Sequence, residues 1–491
     1  MMTRVTCLLL ALAGCSFYVD KDITQCDVDS DCESFGNHPY CQEGVCVDSH
    51  LGPPGCFFGE PTTQEEFANR CTTSQTFQYD NCAKLGLCDQ GALDAAWTTT
   101  AAPQSLGTVP PPVNTQPTPT VNCVDVNPNM VYITGSTNLP PLVKAVQPLL
   151  YAGNPSYVAV FAPQTSCRGA GSILDPDATK HLIKNVTNNY AFYYDQQGKQ
   201  TFCLLDPAGT VVDVGESDVN ASACGFSAVA NTADYVGPVL TIDLVVPSSS
   251  SQTTISAEAA HLVFGAGGAS GKVTPWTDPH YYFTRSSGTG TTQLVSRAIG
   301  VDATMWWGID RLSAGNLVAS MEAIDPTVSE SVIGVLSADY ADKAKANLRL
   351  LAFQQKGQKY AYLPDSTPQV SDKANVRDGH YPIWGAIHFF ASTANGVPSQ
   401  AASAFITQFS VPKLKEELVS AIIDAGFVPS CAMKVSRTVD VGPLSPYTPP
   451  FGCGCYFDNK VNGATACKKC TTASDCTSAA PACNYGFCEK Q

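Results

Sequence analysis

Two periodicities of apolar residues alternate along residues 122–440. Short unbroken apolar runs, typical of strands buried on both faces, are followed by segments in which apolar residues recur at helical spacing. The pattern predicts strands at residues 130–135, 157–161, 240–246 and 331–336, and helices at residues 142–150, 256–264 and 414–425. Such alternation predicts an α/β fold with mostly parallel strands. Its ligands are expected where strands end and loops lead into helices.

One predicted loop carries a high concentration of hydrogen-bond donors. Residues 283–292 read FTRSSGTGTT, with one guanidinium, six hydroxyl side chains and two glycines, and a helix-like segment follows. Glycines and a helix start expose backbone N–H groups. Arg285 adds a planar guanidinium whose paired N–H groups suit a tetrahedral oxyanion. The loop therefore predicts a binding site for a small anion. A polar surface turn before an ordinary capped helix fits these residues alone equally well.

The length and charge of the chain limit its possible partners. The 491 residues exceed one ordinary core and allow two or more domains. The net charge of −15 argues against nucleic acid and against an anionic membrane surface. A small anion stays compatible with this charge, since a neutral hydrogen-bonding pocket can bind one.

The cysteine content and the N-terminus both indicate a location outside the cytoplasm. The 22 cysteines are many for a reducing compartment and favour structural disulfides. A short positive segment and an apolar run lead to Leu12-Ala13-Gly14-Cys15, which resembles the bacterial lipobox. The resemblance implies a signal peptide at residues 1–14 and a lipid anchor on Cys15, in the periplasm or at the outer surface of the cell envelope. The alternative is plain secretion with Cys15 in a disulfide.

Two four-cysteine segments near the ends of the chain repeat one pattern. Residues 26–46 carry Cys-x5-Cys-x8-Cys-x4-Cys and residues 470–488 carry Cys-x5-Cys-x6-Cys-x4-Cys. The spacing favours disulfides over zinc. Without Cys7 and Cys15, 22 − 2 = 20 cysteines remain, an even number that can all pair. The repeats resemble short cysteine-rich modules of secreted myxobacterial proteins, which implies an interaction or spacer role.

The predicted domains follow from these patterns. A Pro/Thr-rich stretch predicts an extended spacer. The domains are a cysteine-rich repeat at residues 15–50, a second cysteine-rich segment at 51–95, the linker at 96–121, the α/β domain at 122–440 and the C-terminal cysteine-rich repeat at 441–491.

Several loops of the α/β region occur in the order found in one protein family. Residues 134–140 read TGSTNLP, residues 164–169 read QTSCRG, and residues 212–218 read VDVGESD, close to an Asp-Phe-Gly-Ala-Ser-Asp motif. Trp-Thr-Asp-Pro at residues 276–279 and Arg-Ser-Ser-Gly-Thr-Gly-Thr at residues 285–291 follow. The region resembles the phosphate-binding proteins of bacterial ABC importers. The resemblance implies a type II periplasmic-binding-protein fold with two lobes that enclose an anion.

The resemblance also implies a set of ligand-binding residues. Arg285 would be the charged fork, and Asp218 would accept the proton of a protonated phosphate and repel sulfate. Leu139 would act through its backbone N–H. The implied positions are Ser136, Thr137, Asn138, Leu139, Ser166, Asp218, Arg285, Thr289, Gly290 and Thr291. Taken alone, Asp218 also fits a turn-capping role and Arg285 a solvated surface charge.

Some of these positions depart from the family pattern. Asn138 stands for a Thr of the family, so Ser136 or Thr137 is expected to supply the missing hydroxyl, and Ser287 stands for an Asp. Cys167 and Arg168 interrupt the second loop. These departures make a small oxyanion a firmer expectation than phosphate itself.

The sequence thus supports two functions. The first is a lipoprotein that binds phosphate or a similar oxyanion, with an ABC permease as partner if it serves import. The second is a surface interaction or adhesion protein with a degenerate cleft. Neither a Gly-x-Ser-x-Gly nor a His-Glu-x-x-His motif is found, so no enzyme activity, cofactor, metal or catalytic residue is predicted.

Overall fold

The computed structural model describes most of the chain. The described residues are Cys26, 29–35, 40–42, 45–47, 52–103, 106, 119–184, 189–268, 271, 273–463 and 465–490. The predicted signal peptide, the predicted lipid anchor at Cys15 and most of the predicted linker lie outside them. Two compact units are present. The first extends to Glu60 and includes Arg70–Thr73, and the second comprises Pro61–Asn69 and Ser74–Gln491.

Cysteines form the core of the first unit. A 3₁₀ helix, Asp29–Phe35, precedes a hairpin of β1 (Tyr40–Gln42) and β2 (Val45–Val47), in which Cys41 and Cys46 lie opposite each other in the strand register. Disulfides join Cys26 to Cys41 and Cys32 to Cys46, and a third joins Cys56 to Cys71. Cys26, Cys32 and Cys46 are themselves buried, so cystine replaces the apolar core that so few residues cannot build.

The second unit contains the remaining helices and strands. The helices are α1 (Gln64–Asn69), α2 (Asn81–Leu85), α3 (Gln90–Trp97), α4 (Pro140–Tyr151), α5 (Ser166–Leu174), α6 (Ala257–Ala266), α7 (Gly290–Ile299), α8 (Ala314–Glu322), α9 (Ala338–Ala341), α10 (Ala374–Arg377), α11 (Gln400–Ile406), α12 (Glu416–Asp424) and α13 (Gly454–Asn462). The strands are β3 (Thr76–Phe77), β4 (Met130–Ser136), β5 (Val158–Gln164), β6 (Leu182–Ile183), β7 (Tyr190–Tyr194), β8 (Gln200–Leu204), β9 (Thr210–Val211), β10 (Val214–Ser217), β11 (Thr232–Pro247), β12 (Thr254–Ser256), β13 (Tyr282–Thr284), β14 (Ile309–Asp310), β15 (Ile333–Ser337), β16 (Leu348–Leu350), β17 (Ala352–Gln354), β18 (Ala361–Tyr362), β19 (Trp384–Ala394), β20 (Val397–Pro398), β21 (Val435–Ser436), β22 (Ser445–Pro446), β23 (Ala482–Asn484) and β24 (Phe487–Glu489).

The main sheet consists of two halves joined by two long strands. Its order is β14-β13-β15-β11-β19-β10-β4-β5-β7-β8. In the first half-sheet, β5, β4 and β10 are parallel and β19 pairs antiparallel with β10. In the second half-sheet, β14, β13 and β15 are parallel and β11 pairs antiparallel with β15. The long strands β11 and β19 pair with each other and connect the halves.

This topology confirms the predicted fold class. Each half receives one antiparallel strand that is continuous with the connection to the other half, as a two-lobed type II periplasmic-binding-protein fold requires. The predicted strands coincide with β4, β5, part of β11 and β15, and the predicted helices with α4, α6 and α12. Parallel pairing holds among β5, β4 and β10 and among β14, β13 and β15, whereas the two connecting strands and the edge strands β7 and β8 pair antiparallel with their neighbours.

The C-terminal segment repeats the disulfide pattern of the first unit. In the hairpin of β23 and β24, Cys483 and Cys488 lie opposite each other in the strand register. Cys470 bonds Cys483 and Cys476 bonds Cys488, so both repeats join their first cysteine to the third and their second to the fourth. The prediction that 20 cysteines pair is confirmed, since ten disulfides include them all.

The cysteine-rich segment that follows the first unit packs on the α/β fold. Strand β3 pairs with β18, and Asn81 of α2 accepts a hydrogen bond from Ser256. Helix α3 ends at Trp97, inside the predicted linker, and the next residues continue along the domain because the Ala101 N–H donates to Gly265 O. Among the described residues, no helix combines the length and the apolar character needed to cross a lipid bilayer.

Candidate functional site

The predicted site residues lie where strands of both half-sheets end. In the first half-sheet, Ser136 ends β4, Ser166 begins α5 just after β5, and Asp218 follows β10. In the second half-sheet, Arg285 follows β13 and Gly290 begins α7. Because parallel strands place their carboxyl ends at one edge of a sheet, loops distant in sequence meet there.

Asp218 is the centre of the hydrogen-bond network. Its Oδ2 accepts from Ser136 Oγ at 2.5 Å, from Asn138 Nδ2 at 3.0 Å and from Ser166 Oγ at 3.1 Å. The residue has no exposed surface, and its carboxylate lies within hydrogen-bonding reach of the buried Glu216 carboxyl. Three donors from two loops thus converge on one carboxylate oxygen.

Contacts between the half-sheets extend this network. The Gly290 N–H donates to Ser166 Oγ at 2.9 Å, and Ser337 Oγ donates to Asn138 Oδ1 at 3.1 Å. Gly290 must be a glycine in this arrangement, because a Cβ there would lie 2.5 Å from the Cβ of Asp218. The two sets of loops are therefore in direct contact around Asp218.

Arg285 is the cation of this region. Its side chain is 6% exposed, and one terminal nitrogen lies 3.5 Å from Thr137 Oγ1 and 3.3 Å from Leu312 O. Its Nε has no partner among the described residues. Burial lowers the pKa of Arg285, while the carboxylates of Asp310, Asp218 and other neighbours oppose that shift. The guanidinium is thus buried and retains N–H donors that bond no group among the described residues.

Two further buried acids lie close to Asp218, and the sequence analysis did not identify them. Glu216 Oε2 accepts the Ser136 N–H at 2.6 Å, and burial together with the charge of Asp218 raises its pKa well above the ordinary value. Burial raises the pKa of Asp339, near the start of α9, to about 7. The signal for Glu216 was present, since it occupies the Ala position of the Asp-Phe-Gly-Ala-Ser-Asp motif.

Burial also raises the pKa of Asp218, although the hydrogen bonds from Ser136, Ser166 and Asn138 oppose the shift. An anion placed among these acids would raise their pKa values further. Any anion bound here would therefore have to bring or take up a proton. A fully ionised, aprotic ion would meet uncompensated negative charge.

The other predicted residues contribute to local structure. The Leu139 N–H donates to Ser136 O at 3.1 Å, and its side chain is buried. Thr289 is the N-cap of α7, donates to Ser286 O at 2.8 Å and accepts from the Thr292 N–H. Thr291 is buried in the first turn of α7. The site thus gathers Ser136, Asn138, Ser166, Asp218 and Gly290 into one network, with Thr137 and Arg285 beside it.

Clusters with metal-ligand geometry occur elsewhere in the described residues. Each consists of three cysteines of a terminal repeat, Cys26, Cys32 and Cys46 in one and Cys470, Cys476 and Cys488 in the other. All six sulfurs are in disulfides, which removes the thiolates that a metal would need.

Comparisons with known proteins give structural neighbours only. No family model matches the chain, and no curated protein matches it. Solved structures that resemble it include a protein of Clostridium perfringens described as a phosphate ABC transporter substrate-binding protein with bound phosphate, at 14% identity and a TM-score of 0.41, covering 61% of this chain and 99% of that one. An ABC-type phosphate transport receptor from Vibrio cholerae has 13% identity and a TM-score of 0.39, with coverage of 61% and 100%.

A regulatory protein is among the neighbours as well. The reduced OxyR regulatory domain of Pseudomonas aeruginosa shares 8% identity at a TM-score of 0.31, covering 57% of this chain and 96% of that domain. Neighbours at such scores include both transport receptors and a regulator. The function proposed below therefore rests on the sheet topology and the site contacts of this chain, not on those likenesses.

Proposed function

We propose that this protein binds a small tetrahedral oxyanion, inorganic phosphate or a close relative, between its two half-sheets. The observation that carries the proposal is the hydrogen-bond network around Asp218, whose Oδ2 accepts from three side chains of the first half-sheet. The Gly290 N–H of the second half-sheet joins this network through Ser166 Oγ, and the guanidinium of Arg285 is buried beside it. Loops of separate strands have no structural need to place four polar side chains and a helix N-terminus together.

The chemistry of the donors supports an oxyanion. Two serine hydroxyls and a side-chain amide already donate to the Oδ2 of Asp218, and a helix-starting N–H donates to one of those hydroxyls. A phosphate oxygen has the same acceptor chemistry as a carboxylate oxygen, and Arg285 adds a charge-assisted donor. Asp218, beside the buried Glu216 carboxyl, is the acceptor that we propose for a proton on the ligand.

The proposal extends to the predicted location and partners. Of the ten predicted positions, we propose ligand contact for the five of the network around Asp218 and for Thr137 and Arg285, whereas Leu139, Thr289 and Thr291 shape the loops that carry them. We also propose acylation of Cys15 and a place in the cell envelope for the mature protein. An ABC permease is the partner if the protein serves import. No catalytic role, metal or cofactor is assigned.

Isothermal titration calorimetry tests the proposal. The full chain is titrated with phosphate, arsenate, sulfate and a phosphonate. We expect binding of phosphate and weaker or no binding of sulfate. Arg285→Ala is expected to weaken phosphate binding by about 2–5 kcal/mol, since it removes one partner of a buried charge interaction.

Arg297→Ala is the matched control. Arg297 lies in the last turn of α7 and, among the described residues, donates its side-chain hydrogen bonds to Gln293 on the exposed side of that helix. This variant should bind phosphate like the wild type. If none of the four anions gives a signal, the proposed function is wrong.

A specific observation favours a second candidate function, an interaction or adhesion protein. The cleft donors are already satisfied by Asp218 and by contacts between the halves, and two cysteine repeats share one disulfide pattern. This candidate predicts no anion binding and retention of the protein on a cell surface or matrix preparation. Deletion of residues 470–488 would abolish that retention.

A further inference from the structure

One disulfide connects the two loops that supply Ser166 and Asp218. Cys167 directly follows Ser166 in the first turn of α5, and Cys224 ends the 3₁₀ helix Ala221–Cys224 that follows Asp218. Their sulfurs are bonded, with the Cα atoms 5.0 Å apart. The bridge closes a loop with a sequence separation of 57 residues next to the candidate site.

The bridge joins segments that follow two strands which are not neighbours in the sheet. Ser166 follows β5 and Asp218 follows β10, and β4 lies between these strands in the sheet. Hydrogen bonds of the sheet therefore do not fix the distance between the two loops directly. Close packing of α5 on β10, where a Cβ at Gly169 would overlap Glu216 O, and the disulfide across β4 both limit that distance, which is 3.1 Å between Ser166 Oγ and Asp218 Oδ2.

The same segment also contacts the second half-sheet. The Cys167 N–H donates to Gly288 O at 3.0 Å, and Ser166 Oγ accepts the Gly290 N–H at 2.9 Å. A displacement of the first turn of α5 would therefore disturb both the Asp218 contact and the approach of the α7 N-terminus.

The bridge is accessible from solvent. Cys167 and Cys224 are partly exposed and line a surface cavity of about 590 Å³ together with Ser287 and Gly288. A second disulfide of the first half-sheet, Cys123–Cys203, differs in both respects. It joins a 3₁₀ helix to β8 away from the candidate site, and both cysteines are buried.

We propose that the Cys167–Cys224 disulfide positions Ser166 against Asp218 and Gly290, so that anion affinity depends on its oxidation state. The inference rests on the proposed function. In the switching step, a dithiol supplies two electrons and two protons. The S–S bond breaks, two S–H bonds form, and the dithiol closes to its own disulfide. Loss of the bridge leaves Ser166 free to move away from the carboxylate.

Two double variants of the full chain test this inference. Cys167→Ser with Cys224→Ser removes the proposed positioning bridge, and Cys123→Ser with Cys203→Ser removes the buried one. Both are titrated with phosphate by calorimetry and melted to compare stability. We expect the first to lose about tenfold or more in affinity, the effect of one misaligned hydrogen bond to a charged group. The control should lose stability and keep its affinity within a factor of about two.

A double-mutant cycle separates positioning from a general structural role. Ser166→Ala should weaken phosphate binding in the oxidised wild type and have a much smaller effect once Cys167 and Cys224 are replaced, because its contact is then already lost. Additive losses, or equal phosphate affinity in wild type and site variant, would overturn the inference. If the wild type binds none of the four anions, the proposed function is wrong, and the inference that rests on it is wrong as well.

A second measurement covers the case in which the site variant does not fold. The wild type is treated with increasing dithiothreitol, alkylated and mapped by mass spectrometry, and phosphate binding is measured at each step. The expected loss of affinity follows the labelling of Cys167 and Cys224. A loss that follows another disulfide, or unchanged affinity after full labelling of this pair, contradicts the inference.

Discussion

The two half-sheets are stabilised by different chemistry. In the first, the disulfides Cys123–Cys203 and Cys167–Cys224 connect loops and edge strands. Residues 225–430, which include the second half-sheet, contain no cysteine. There the buried Lys373 contacts Asp342 at 2.8 Å and Asp365 at 2.9 Å, and Lys345 contacts Asp365 at 3.0 Å.

The difference has a consequence for the site. In the half that carries Glu216 and Asp218, hydrogen bonds to Asp218 and a disulfide hold the site loops together. The half that carries Arg285 contains a buried cluster of ion pairs instead. The first half should therefore respond to reductants, and the second to removal of a single charge.

The largest expected effect is on the ion-pair cluster. Lys373→Met leaves Asp342 and the buried Asp365 to share Lys345 in place of two cations, which should cost about 3–5 kcal/mol of unfolding free energy. Denaturant titration under oxidising conditions measures it. Lys356→Ala, which removes a surface pair with Asp94, is the control and should change stability far less. Equal losses in the two variants would mean that the cluster is not what holds this half together.

The next effect concerns pH. Burial raises the pKa of folded Asp339 to about 7, whereas the unfolded chain should have an ordinary value of about 3.9. The proton on Asp339 therefore stabilises the folded state. This contribution to the free energy of unfolding is fully present below about pH 4 and is lost as pH rises to about 7. Asp339→Asn should remove about 1.4 kcal/mol of that decline per pH unit. An unchanged slope in Asp339→Asn would contradict the assignment.

A smaller effect is expected where the two halves touch. Gly290→Ala places a methyl group against Asp218 and should cost about 1–3 kcal/mol through overpacking, together with anion affinity. Gly315→Ala in α8 is the matched control, because the nearest atom to its new Cβ, on Tyr340, is 4.0 Å away. Thermal melting and phosphate titration of both variants check the prediction. If Gly290→Ala behaves like Gly315→Ala, the loops are not in the contact described.

The sequence predicted much of the fold because its signal is local. Apolar runs located β4, β5 and β15, and loop motifs placed Ser166, Asp218 and Arg285 at strand ends. Pairings between distant residues have no such signal. Cys167 and Cys224 could each bond several cysteines, and Asp243 meets the charge of Lys373 only through the fold.

The same limit applies to the centre of the site. Asp218 was predicted as a ligand contact, but the three donors on its Oδ2 come from positions 52 to 82 residues away. Glu216 was visible as a departure from a family motif. Its burial beneath Ser136 depends on the packing of two strands, which no local pattern specifies.

The structure of the full chain crystallised with phosphate tests the central claim most directly. The account predicts one phosphate between the half-sheets, within hydrogen-bond distance of Ser136, Ser166, the Gly290 N–H and Arg285, with its proton towards Asp218. A phosphate bound elsewhere, or a network around Asp218 that stays closed at saturating phosphate, would contradict it.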